Sequence, residues 1–121
     1  MEDGTLVFPV EGRNEDGLQF STIMWSKDKG ENWTVGEPAY YNTNECQVVE
    51  LSDHSLMLNM RERSNRGRQE GNGRAIAVTA DLGKTWTEHP TSRRALIEPA
   101  CQASLLRHDY IEDGEERHVL L

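Results

Sequence analysis

"SKDKGENW", residues 26 to 33, and "TADLGKTW", residues 79 to 86, decide the fold of this 121-residue chain. Both place a hydroxyl residue, an aspartate, a glycine and a tryptophan at offsets of 0, 2, 4 and 7. The first copy holds Ser26, Asp28, Gly30 and Trp33; the second holds Thr79, Asp81, Gly83 and Trp86. An aspartate so placed accepts backbone N–H bonds across a tight turn. The glycine supplies the positive φ that other residues resist, and the tryptophan folds its ring under the loop as a local core. A second echo agrees with the first. "NECQVVEL" from residue 44 returns as "PACQASLL" from residue 99, so Cys46–Gln47 matches Cys101–Gln102. Two independent markers thus give a repeat of a little over 50 residues, the size of a four-stranded propeller blade with one long loop.

The rest of the chain fits that unit. β-Rich runs bounded by Gly, Asp, Asn and Pro clusters predict strands at 5–8, 19–26, 47–51, 55–61, 75–80, 103–107 and 118–121. "DG" at 3–4 and 16–17 and "SDHS" at 52–55 read as hairpin turns. No segment keeps a helical period over three turns. The expectation is all-β: a partial β-propeller with one complete four-stranded blade over 45–89, part of a blade over 1–44, and the start of another over 99–121. Within the full blade the strands fall at 46–51, 55–61, 75–80 and 85–88. Both chain ends read as strands under way.

Composition narrows the function. Acidic residues outnumber basic ones, 21 to 13, for a net charge of −8, against the basic face that nucleic acid requires. No run of apolar residues is long enough for a membrane span, and no signal sequence opens the chain. Two cysteines outside any CxxC pair, and four histidines without ligand spacing, predict neither a disulfide framework nor a metal site. No cofactor is expected. "GNG" at 71–73 reads as turn glycine, and "NWT" at 32–34 as a chance match to a glycosylation acceptor inside a turn. Five arginines (61, 63, 66, 68 and 74) crowd a short stretch with Glu62 and Glu70. They read either as a solvated loop or as an anion site using one or two of them.

The two turns resemble the Asp-box of sialidases and related propellers, which lies between the third and fourth strands of each blade. "NECQVVELSDHSLMLNMR", residues 44 to 61, resembles the central segment of exo-α-sialidases, in which a glutamate begins an innermost strand and "N-x-R" closes the next. "LVFP" before it, an Asp-box on each side and "CQASLLR" after it extend the likeness over nearly the whole chain, most closely to secreted bacterial enzymes. The resemblance implies that Glu45 is the base partner of a catalytic tyrosine, and that Arg61 is one of three arginines gripping the substrate carboxylate. Asn59, two residues before Arg61 and so on the same strand face, becomes an orienting partner. Glu11 and Arg13 fall where the family lines the pocket for the substrate's glycerol tail. Gln47 and Gln102 are expected as buried residues near the central channel.

The chemistry accounts for those residue types. Sialic acid carries a carboxylate on its reacting carbon, so a carboxylate nucleophile would meet like charge. A neutral tyrosine avoids this, with a glutamate taking its proton, and sialidases depart from the two-carboxylate scheme accordingly. A guanidinium fork binds a carboxylate in bidentate fashion. The family's tyrosine, acid/base aspartate and other two arginines have no matching motif here, and Tyr40, Tyr41 and Tyr110 lack the nucleophile's surroundings. The resemblance therefore implies a segment of a retaining, secreted, periplasmic or cell-surface sialidase. Such a segment acts on sialylated glycans only with the remainder of the propeller and is inactive alone. The alternatives are a non-catalytic Asp-box binding module and an Asp-box glycosidase acting on another sugar.

Overall fold

A computed structural model of the chain describes residues 1–65, 72–98 and 101–121. Arg66, Arg68 and Glu70 of the arginine-rich stretch, Gly71 of "GNG", and the Pro99–Ala100 start of the second echo lie outside the described residues. Among the described residues ten strands form three antiparallel sheets, so the chain is all-β.

The first sheet is built on β1 (Leu6–Arg13) and β2 (Gln19–Ser26), paired in unbroken register from Leu6↔Ser26 to Arg13↔Gln19. Gly17, at φ 77°, closes the connecting turn by donating to Asn14 O at 2.9 Å. Two short strands, β3 (Thr34–Val35) and β4 (Tyr40–Tyr41), pair with opposite ends of β2. The second sheet runs in the order β5 (Thr43–Glu50), β6 (Leu56–Glu62), β7 (Ala75–Thr79), β8 (Thr87–Glu88). The third is a hairpin of β9 (Arg107–Glu112) and β10 (Glu115–Leu120). Each Asp-box joins the third strand of a blade to its outermost one: β2 to β3 in the first sheet, β7 to β8 in the second. The first sheet therefore supplies the outer three strands of a blade, and the fold is a partial propeller.

Burial explains why β6 reads as a continuous apolar run. Leu56, Leu58 and Met60 point to one side, where with Ile23, Cys46, Ala75 and Ala77 they form the core between the first two sheets. Met57, Asn59 and Ile76 face the other way, across a cleft from Leu105, Leu120 and Leu121. A strand covered on both faces loses the polar alternation of a half-buried one.

Three expectations shift. The strand expected at 103–107 begins only at Arg107. Asp113 and Gly114 both adopt positive φ, 53° and 80°, the conformation that two-residue hairpins require, and this turn sets which residues pair. The "DG" at 3–4 closes a turn, Gly4 N–H to Met1 O at 3.0 Å, but joins no two strands among the described residues. Gln102 is exposed, not buried, and Gln47 is half-buried.

The two Asp-boxes carry the same bonds. Ser26 Oγ donates to Asp28 Oδ1 at 2.7 Å and accepts Gly30 N–H at 2.9 Å; Thr79 Oγ1 does the same with Asp81 at 2.8 Å and Gly83 at 3.0 Å. Four residues after each aspartate, a backbone N–H donates to Oδ1 and a side chain to Oδ2, from Asn32 in one copy and Thr85 in the other. These donors hold both carboxyls down at a pKa of about 2. Lys29 and Leu82, just before the glycines, also sit at positive φ. The tryptophans differ. Trp33 donates to Gly30 O within its own turn and packs on Phe8, with 37% of its surface exposed. Trp86 reaches across to Glu37 O at 2.9 Å and joins the core between the sheets, so the second box also fastens two blades together.

Candidate functional site

Glu45 and Arg61 start far apart in sequence and meet at one end of the second sheet. Pairing of β5 with β6 skips between Asn44 and Gln47, leaving Glu45 in a bulge with φ at 42°. Bulges turn a side chain out of the regular pleat, and a non-glycine residue at positive φ is strained, typically by ~1–3 kcal/mol. The displaced carboxylate brings Oε2 to 2.6 Å from Arg61 Nη1, with the two side chains 33% and 23% exposed. Among the described residues, neither Glu45 Oε2 nor Arg61 Nε, both buried, has a hydrogen-bond partner. Charge attraction, rather than a bidentate fork, joins them. Asn44 Oδ1, opposite Arg61 in the register, and Glu98 Oε1 are likewise buried without a hydrogen-bond partner among the described residues. Four such atoms at one strand end are unusual, since most buried polar atoms are paired.

The backbone of Glu45 is held from both sides. Its N–H donates to Glu11 Oε2 at 3.0 Å, and its carbonyl accepts from Arg74 Nη2 at 3.0 Å. Arg74 is 4% exposed and also bonds the Oδ1 of Asn59 through Nε and Cys101 O through Nη1, the latter at 3.0 Å. Burial pushes its pKa down, while Glu98 and Glu45 nearby pull it back up. Glu98 is equally buried; desolvation raises its pKa against the opposing pull of the Glu62 N–H bonded to its Oε2 at 3.0 Å, and of Arg74 and Arg61. Arg93 closes the rim. It pairs with Glu62 and Glu88 at 2.5 and 2.6 Å and lies 4.6 Å over the Tyr40 ring.

The expected site residues separate by location. Glu45, Arg61 and Asn59 belong to one cluster with Arg74, one of the five arginines read as a solvated loop or an anion site, and with Glu98, which the sequence did not single out. Glu11 joins through the Glu45 N–H. Arg13 does not: its guanidinium donates to Gly17 O at 2.9 Å, within its own hairpin turn. Arg63 is exposed and donates to Gln19, so among the described arginines of the crowded stretch only Arg61 and Arg74 line the cluster. Tyr41 packs on Phe20, and Tyr110 stacks on His108. Ser26, Asp28, Gly30, Trp33, Thr79, Asp81, Gly83 and Trp86 stay in the turns. A buried arginine gives little signal in sequence, because its neighbours there are polar and charged. A buried Glu98 gives none, since its partners come from β6 and from the segment before β7.

Repeated Asp-box turns on antiparallel four-stranded sheets define a segment of an Asp-box propeller. The chain belongs to the BNR repeat-like domain family, whose profile matches residues 1–121. It is 51% identical to a sialidase of Bacteroides fragilis over 106 residues, 88% of this chain and 18% of that protein. A Clostridium perfringens sialidase is 32% identical over 114 residues, covering 88% of this chain and 28% of the relative. In structure it matches the Hadza microbial sialidase Hz136 with a TM-score of 0.85 and 41% identity, over 99% of this chain and 23% of the other. Trypanosoma rangeli sialidase in complex with sialic acid gives a TM-score of 0.72 at 27% identity, over 98% and 18%. The chain thus spans only 18% to 28% of the length of these relatives, as a sialidase-family Asp-box segment.

Proposed function

We propose that this segment supplies part of the active centre of an exo-α-sialidase that releases terminal sialic acid from glycoconjugates with retention. The observation that carries the proposal is the ion pair of Glu45 and Arg61 at the bulged start of β5. A propeller that only bound a partner has no use for a strained glutamate set against an arginine whose buried Nε has no hydrogen-bond partner among the described residues. In this reading Glu45 takes the proton of a tyrosine nucleophile supplied from outside these residues. Arg61 turns its guanidinium to the substrate carboxylate, a charged hydrogen bond typically worth ~1.5–3 kcal/mol. Asn59 braces the strand behind Arg61. Supporting the covalent route, the related Trypanosoma rangeli sialidase has been seen in complex with 2,3-difluorosialic acid as a covalent intermediate.

The complete protein carrying this segment tests the proposal on a fluorogenic sialoside. Glu45→Gln is expected to depress kcat far more than it changes KM, because the proton acceptor acts as the nucleophile attacks. Arg61→Ala is expected to raise KM and lower kcat together, through lost grip and lost orientation. A wild-type protein that releases no sialic acid, or a Glu45→Gln variant with unchanged turnover, overturns the assignment.

A further inference from the structure

The conformation of Glu45 poses a question that its carboxylate does not answer. A left-handed glutamate at a strand end persists only where its surroundings determine it, and both sides of this residue's backbone are seized by charged side chains. Glu11, from the first sheet, accepts the N–H. Arg74, from the segment leading into β7, donates to the carbonyl. Arg74 spends its remaining hydrogen bonds on Asn59 of β6 and on the Cys101 carbonyl. One buried guanidinium therefore joins the bulge, the strand that carries Arg61, and the chain entering the next sheet.

We propose that Arg74 is a positioning residue for Glu45: by gripping the Glu45 carbonyl and Asn59 together, it fixes the bulge and aims the Glu45 carboxylate at Arg61. This rests on the assignment of Glu45 above. Three features favour it over a general packing role. A buried guanidinium is costly to desolvate, and aliphatic packing could fill the same space without that cost. Its planar fork suits three acceptors at fixed angles, which lysine's single ammonium cannot match. Its bonds to β5 and β6 end on Glu45, next to the residue opposite Arg61, and on Asn59, two residues before Arg61 on the same strand. Glu11 completes the grip on the opposite side of the same residue, so its exposed carboxylate serves the site's framework.

The test uses the complete protein, a fluorogenic sialoside and the inhibitor DANA, which the Trypanosoma rangeli enzyme binds. Arg74→Met is expected to lower kcat about a hundredfold, the scale of a displaced catalytic group. KM and DANA inhibition should stay within about threefold, since Arg61 keeps its grip. Arg74→Lys should recover only part of the loss. Should Arg74→Met fail to fold, Glu11 carries the test. Glu11→Ala is expected to lose turnover with KM held, and Glu11→Gln, whose amide oxygen still accepts the N–H, to recover most of it. Wild-type kcat in folded Arg74→Met, even with a lower Tm, overturns the inference, as does a parallel rise in KM and DANA inhibition constant. Equal kcat in Glu11→Ala and wild type overturns it too. An inactive wild-type protein would instead sink the sialidase reading, so the two failures are distinct.

Discussion

Alanine at Gly83, set beside alanine at Gly30, separates backbone strain from crowding between blades. The two glycines hold the same place in the two Asp-boxes, at φ of 80° and 93°. At either site an L-residue bears the left-handed penalty of ~1–2 kcal/mol. Their surroundings differ. A Cβ at Gly30 would stand 3.5 Å from Trp33 Cζ2 and 3.8 Å from Leu6 Cδ1, ordinary contact. A Cβ at Gly83 would stand 3.1 Å from Ile23 Cγ1 and 3.3 Å from Gly36 Cα, a backbone atom. Ile23 is fully buried, and Glu37 N–H bonds Gly83 O at 2.7 Å, so neither neighbour gives way freely. Overpacking of this kind costs ~1–3 kcal/mol. Gly83→Ala should therefore destabilise the 121-residue segment in urea by ~1–3 kcal/mol more than Gly30→Ala. Hydrogen exchange should locate the difference: protection of the Glu37 amide falls by ~5–150-fold in Gly83→Ala. Equal losses in the two variants, within about 0.5 kcal/mol, would refute the claim that the second box is wedged between blades.

Three further outcomes are expected. Asp28 and Asp81 ionise at about 2 in the folded protein, below the ordinary 3.8, so their contribution is complete above that ordinary value and is lost as pH falls through about 2. Urea midpoints should drop over that window, and the Asp28→Asn, Asp81→Asn double variant should show a shallower drop. Cys46 is buried, and burial raises its thiol pKa, whereas Cys101 is exposed. Brief iodoacetamide treatment of the native protein followed by peptide mass mapping should find Cys101 modified and Cys46 spared. The 121 residues expressed alone expose Leu106, Ile111 and Leu121 on and beside the β9–β10 hairpin, at 62%, 77% and 69%. They should elute from size-exclusion chromatography as more than a monomer and hydrolyse no sialoside.

Local chemistry made the turns readable from sequence. The spacing of Ser26, Asp28 and Gly30 specifies its own hydrogen bonds, all formed within a few residues, and the second copy repeats them. The Glu45 and Arg61 pair was reachable only through resemblance to a family, because the residues between them carry no signal that they meet. Tertiary structure alone decided what surrounds that pair. The bulge at Glu45 depends on which β5 residues lose their partners on β6. Arg74, Glu98 and Glu11 converge there from three separate elements. Trp86 and Trp33, identical by pattern, differ within this segment: Trp86 bonds Glu37 O across to the first sheet, and Trp33 bonds Gly30 O within its own turn. Sequence fixes interactions whose partners lie within a turn; packing chooses those whose partners must first be brought across a sheet.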